Sequence, residues 1–148
     1  MSEKPRIVID TQVFVRAAIN DRSLPAKLIY DLNQSYQLLV SRQIRNEVED
    51  VLNRGNVRAK FKQITDNVVQ RALTLYDAAE WIEVEDIPPI SRDPKDDVFL
   101  ATAVAGDADY LVSEDQDLLT LNPYQEIKIV NVLDIVVLLQ PPAGEGEE

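Results

Sequence analysis

This 148-residue chain predicts an α/β fold, a three-layer α/β/α sandwich on a central parallel sheet. Three observations carry that expectation. Short β-branched runs alternate with segments of helical spacing, the pattern of successive strand-helix-strand units. The first run, Arg6-Ile-Val-Ile-Asp10, is a short apolar β-branched stretch ending in an acid, as befits a strand covered on both faces. Acids stand directly after two of the runs, Asp10 and Asp115, where strands of such sheets present their carboxyl ends to ligands.

The elements follow in order. Arg6 to Asp10 is the opening strand, with its carboxyl end meeting a loop. Ser23 to Asn33 carries Leu24, Leu28, Ile29 and Leu32 at helical spacing, and Tyr36 to Val40 reads as a second strand. Ser41 is placed to cap a helix running to about Asn53, on which Ile44, Val48, Val51 and Leu52 form one apolar stripe and Glu47 falls at its margin. Gly55 and Asn56 break the chain before a short basic segment, and Ile64 to Ala79 reads as a longer helix. Trp81 to Val84 fits a strand or an extended connection, and Pro88-Pro89 with Asp93-Pro94 marks a loop. From Asp96 a helix apolar nearly all round is expected, with Asp96 and Asp97 in its first turn and Gly106 at its end. Asp109 to Ser113 is the next strand, Asp115 to Leu121 a short helix, Ile127 to Val130 a strand and Val132 to Leu139 a closing helix. Residues 1–140 thus read as one domain, and the Pro-, Gly- and Glu-rich tail 141–148 as disordered.

Composition narrows the chemistry. Cysteine and histidine are both absent, which excludes a disulfide framework, a zinc finger, thiol catalysis and any Ser-His-Asp mechanism. Carboxylates, hydroxyls, lysines and arginines remain. No signal-peptide pattern and no apolar run of membrane-spanning length are seen, so a soluble, cytoplasmic protein is expected. The net charge of −11 is uneven: residues 1–40 sum to +1, residues 41–76 to +3 and residues 77–148 to −15. The middle segment holds Arg42, Arg45, Arg54, Arg58, Lys60, Lys62 and Arg71, which could face phosphates or simply form a solvated helical surface.

Asp10, Glu47, Asp97 and Asp115 suggest a site built from carboxylates. Anionic groups gathered in a cleft repel one another, and a bound divalent cation offsets that repulsion. Hard oxygen donors with neither His nor Cys select Mg²⁺ or Mn²⁺, which makes metal-assisted phosphodiester chemistry the leading reaction class. Each acid alone has an ordinary explanation as a helix cap or an exposed surface group. Asp10 is the hardest to explain that way, because a charge ending a buried strand pays for desolvation unless something pairs with it.

Four segments in order resemble the PIN-domain nucleases, and particularly the toxin components of prokaryotic toxin–antitoxin pairs. They are Ile7-Val-Ile-Asp-Thr-Gln-Val-Phe, Ser41-Arg-Gln-Ile-Arg-Asn-Glu47 followed by Val51-Leu-Asn-Arg, Asp93-Pro-Lys-Asp-Asp-Val-Phe-Leu-Ala-Thr-Ala, and Ala108-Asp-Tyr-Leu-Val-Ser-Glu-Asp-Gln-Asp-Leu-Leu. The resemblance implies Asp10, Glu47, Asp97 and Asp115 as metal-ligand and catalytic acids, with Asp117 an outer participant. It implies Thr11 and Ser113 as hydroxyls that orient the carboxylates, and it makes Asp96 the neighbour to be distinguished from Asp97. It further implies single-stranded RNA as substrate, a small antitoxin partner and a homodimer. Where the family usually has Asn or a small polar residue after Asp-Thr, this chain has Gln12. A PIN-like module that binds RNA or protein without cutting is the alternative. Phosphatase or receiver-like readings want acids or a lysine at positions where this chain has none.

Overall fold

The computed structural model describes residues 4–91 and 93–140, so the expected disordered tail lies outside the described residues. Five parallel strands form the sheet: β1 (Arg6–Ile9), β2 (Gln37–Val40), β3 (Glu80–Trp81), β4 (Tyr110–Val112) and β5 (Lys128–Val130), in the order β3-β2-β1-β4-β5. Ile7, Val8 and Ile9 are buried, as a central strand between two helical layers requires. Strand order reverses between β1 and β4. Parallel strands need right-handed crossovers, so the connections on either side of that point leave toward opposite faces and a crevice opens there.

On one face α1 (Thr11–Ile19), α3 (Arg42–Asn53) and α5 (Asp66–Thr74) pack together; on the other, α6 (Pro94–Ala105) crosses β1, β2 and β4. Short helices α2 (Leu24–Ala26), α4 (Gly55–Lys60) and α7 (Gln116–Leu119) fill connections, and α8 (Val132–Leu139) closes the described chain. Phe14 and Tyr76, with ring centroids 5.3 Å apart, and Ile44, Leu52, Phe99, Leu100 and Leu111 are among the large side chains of the core. Among the described residues no helix is long and apolar enough to cross a membrane.

Several local outcomes differ from the sequence expectation. The carboxyl end of the opening strand meets a helix at Thr11 instead of a loop, because Val13, Phe14, Ala17 and Ala18 are all drawn into the core. The expected helix 23–33 is one turn of α-helix followed by a π-helical turn, Lys27–Asp31, and a 3₁₀ turn, Asn33–Ser35. Gly55 opens helix α4 instead of only breaking the chain. Asp93 is the N-cap of α6, its carboxylate accepting the Lys95 amide at 3.0 Å with Pro94 in the first turn, so the helix starts two residues earlier than expected. Gly106 does end α6, and a β-carbon there would come within 3.0 Å of Ile82 and Leu39. Ser41 caps α3 through the Ile44 amide, and its hydroxyl pairs at 3.0 Å with that of Thr102 on α6, tying the two layers together beside the sheet.

Candidate metal centre

The crevice between β1 and β4 gathers the acids. Asp10 follows β1 and is 4% exposed. Its backbone amide continues the ladder to the Val112 carbonyl at 3.0 Å, which fixes the carboxylate at the sheet's carboxyl edge. The Ser113 hydroxyl donates to Asp10 Oδ2 at 2.7 Å and in turn accepts the Asp115 amide at 3.0 Å. One serine thereby holds both strand-end acids in register. Asp115 caps α7, accepting the Asp117 amide at 2.9 Å. Glu47 reaches in from α3, where the Thr11 hydroxyl donates to its carboxylate.

The adjacent acids of α6 diverge. Asp96 is 6% exposed, its Oδ2 is buried without a hydrogen-bond partner, and it offers a carboxylate oxygen within 4.8 Å of oxygens of Asp115 and Asp117. Burial, then the contact with Asp115, then the charges of Asp115, Asp10 and Asp93 push its carboxyl up to about 7. Asp97 accepts instead from the Ser91 amide at 2.7 Å, the Ser91 hydroxyl at 2.8 Å and the Ile90 amide at 3.2 Å. Burial opposes its ionisation, but those three donors prevail and hold Asp97 below the usual carboxylate range. Asp97 is therefore the tie of the 82–91 connection, and its neighbour Asp96 is the acid brought to Asp115 and Asp117. A helix turns about 100° per residue, so two consecutive acids cannot face one point.

Asp10 is also pushed up, by burial first, opposed by the Ser113 hydroxyl and the Gln12 amide and reinforced by the charges of Asp115 and Glu47. A buried carboxylate oxygen without a donor, in a set made only of oxygen ligands, fits a hard divalent cation. Asp10, Asp96, Asp115 and Asp117, with Glu47 at the margin, are the residues able to hold one.

The basic residues are more dispersed. Arg45 pairs with Glu49 at 2.6 Å, Arg54 with Asp50 at 2.8 Å and Arg58 with Asp66 at 2.5 Å, so three of the seven basic residues that could face phosphates are paired with acids nearby in sequence. Lys60 lies over the Phe61 ring, while Arg42 and Lys62 are exposed and make no ion pair among the described residues.

A profile of the PIN domain matches residues 6–117, from β1 into α7, and so spans every acid of the crevice. The chain belongs to the PIN domain family. Among solved structures, the PIN fold of this chain is similar to PAE2754 from Pyrobaculum aerophilum, with a TM-score of 0.62 at 15% identity over 91% of this chain and 95% of that one. It is also similar to VapBC2 from Rickettsia felis bound to a DNA fragment from their promoter, with a TM-score of 0.53 at 15% identity over 85% of this chain and 98% of that one. At such identities the likeness is one of fold. No curated protein matches the chain in sequence.

Proposed function

We propose that this PIN domain is a Mg²⁺- or Mn²⁺-dependent ribonuclease that hydrolyses phosphodiester bonds of single-stranded RNA, acting as the toxin-like member of a toxin–antitoxin pair. The observation that carries the reading is Asp96, whose Oδ2 is buried without a hydrogen-bond partner and which offers a carboxylate oxygen within 4.8 Å of oxygens of Asp115 and Asp117. A divalent ion held there by Asp10, Asp96, Asp115 and Asp117 would acidify water and offset charge developing on the phosphate. The chain's own residues do the rest. Ser113 keeps Asp10 and Asp115 aligned and Thr11 orients Glu47, so the carboxylates that would hold the ion and position the attacking water are fixed before substrate arrives. Asp97 positions the α6 start by anchoring Ile90 and Ser91.

A small antitoxin with a basic segment would be drawn to the same acids. Exposed Leu133, Val137 and Leu138 on α8 favour a pairing of two copies, which light scattering would register as a doubled mass.

The test is cleavage of a mixed single-stranded RNA with Mn²⁺, with Mg²⁺ and with EDTA. Cutting is expected with either metal, abolished by EDTA and reduced at least about 100-fold in Asp10→Asn and Asp96→Asn, the scale lost when a group acting on the transition state is removed. Intact RNA under every metal condition, together with no Mn²⁺ binding by calorimetry, would replace the nuclease with a non-catalytic PIN module.

A further inference from the structure

The sequence shows no row of aromatics on which bases could stack, but the fold sets a single exposed indole at the edge of the sheet. Trp81, the only tryptophan of the chain, ends edge strand β3 and is 51% exposed. Its indole is held in place: the ring N–H donates to the Tyr76 carbonyl at 3.1 Å, and the Ile82 amide beyond it donates to Val40 at 2.7 Å. The connection that follows is fixed in turn by the Gln43 side-chain amide, which donates to the Val84 carbonyl at 2.7 Å. Between these anchors lies a cavity of about 380 Å³ lined by Arg42, Gln43, Trp81 and residues 82–85.

The cavity's position matters more than its size. Trp81 is paired with Val40, and β2 pairs with β1 so that Val8 lies beside Leu39. The row Trp81, Val40, Ile9 therefore runs straight across the carboxyl edge of the sheet toward Asp10. Two strand spacings separate its ends, about 10 Å, a step of one or two nucleotides of extended single strand.

We propose that this cavity is a nucleobase subsite for single-stranded RNA, in which one base stacks on the Trp81 indole while the Arg42 guanidinium meets the adjoining phosphate. The inference rests on the nuclease reading for its substrate. Glu83 and Glu85 on the rim repel phosphate, so the flat, uncharged base enters the cavity and the backbone stays on the Arg42 side. Stacking on a pre-oriented indole tolerates any base, because every base offers a π-face. The bond to Tyr76 removes the cost of ordering the ring at the moment of binding.

A single tryptophan makes the test direct. With EDTA present to prevent cutting, a short oligoribonucleotide is titrated into the full chain while emission at Trp81 is followed. Saturable quenching is expected, and an oligonucleotide with all bases removed should not produce it. End-labelled oligonucleotide anisotropy then gives affinities for variants. Trp81→Ala should weaken binding by about 10- to 100-fold, the scale of one lost stacked base, and Trp81→Phe should recover part of it. Arg42→Gln should weaken binding and reduce the slope of log affinity against log salt by about one unit. Unchanged emission with RNA bound, or equal affinity in Trp81→Ala, overturns the subsite even if the protein cuts RNA. Quenching that depends on protein concentration instead of RNA also overturns it and marks the edge as a surface between copies. Quenching by RNA in a protein that never cuts would uphold the subsite and reject the nuclease.

Discussion

The two ends of the sheet treat charge in opposite ways. At the amino end Arg6, the first residue of β1, spans the edge: its guanidinium donates to both carboxylate oxygens of Glu80 on β3, at 2.8 and 2.7 Å, and to the Gly106 carbonyl at 3.1 and 2.7 Å. Its backbone amide donates to Asp109 Oδ2 at 2.8 Å just before β4. Acids and cation are matched, and Glu80 is held below the ordinary range chiefly by its hydrogen bond to Arg6. At the carboxyl end Asp96, Asp115 and Asp117 each bring a carboxylate oxygen within 4.8 Å of the others, and burial pushes Asp10 and Asp96 up. The amino end shows charge used to hold a fold. The carboxyl end gathers acids whose burial and mutual repulsion disfavour their ionised forms, the kind of perturbation that clusters at functional sites.

The sharpest way to break the contrast is to neutralise the carboxyl end. Asp96→Asn should abolish Mn²⁺-dependent cleavage yet raise the stability of the metal-free protein at pH 8 by about 2 kcal/mol, after allowing for screening in an open cleft. Chemical denaturation with and without Mn²⁺ checks the pair of effects; a variant less stable than the parent in EDTA would mean that Asp96 is a structural acid after all.

Asp97 should behave in the opposite sense. Asp97→Ala removes an ionised acceptor from three donors and should cost about 2–3 kcal/mol of stability, while calorimetric Mn²⁺ affinity stays within a few-fold of the parent. Loss of Mn²⁺ binding with stability intact would return Asp97 to the ligand set.

Acid and base titration of stability distinguishes the two residues without mutation. The folded Asp96 carboxyl sits at about 7 against an ordinary 3.8, so between these values the folded chain holds a proton that the unfolded chain has released. Stability of the metal-free protein should therefore fall as pH rises from about 4 to about 7, and saturating Mn²⁺ should reverse that slope. Asp97 has the reverse sign: its contribution is present above the ordinary carboxylate range and is lost as pH drops below it through the lowered folded value.

The smallest effect is expected at the amino end. Arg6→Gln disrupts a half-exposed pair and should lower Tm by only about 1–3 °C, since such pairs contribute little when solvent competes for both partners. Metal binding at the other end should be unaffected.

Much of this was legible from residue order. The alternation of strands and helices, the caps at Ser41 and the end of α6 at Gly106, and the placing of Asp10 and Asp115 at strand ends all follow from local patterns whose physical causes are themselves local. The segment 11–19 was not, because Val13, Phe14 and Val15 suit an extended strand equally well, and only burial against α3 and α5 makes a helix of them. Choosing between Asp96 and Asp97 was beyond local pattern too. Helix α6 is covered nearly all round, with Phe99, Leu100, Ala101, Thr102 and Ala103 all buried, so periodicity gives no direction from which to count.

By itself, then, the sequence determined the layered α/β fold, the family and a carboxylate site free of His and Cys, since these depend on residue type and spacing. Tertiary structure alone decided which acid of the 96–97 pair enters the crevice, that the arginines of α3 and α4 are largely matched by nearby acids, and that Trp81 stands in register with Val40 on the strand beside the one that leads to Asp10. Those outcomes depend on the angle at which α6 meets the sheet and on strand order, and both are set by packing between residues far apart in the chain.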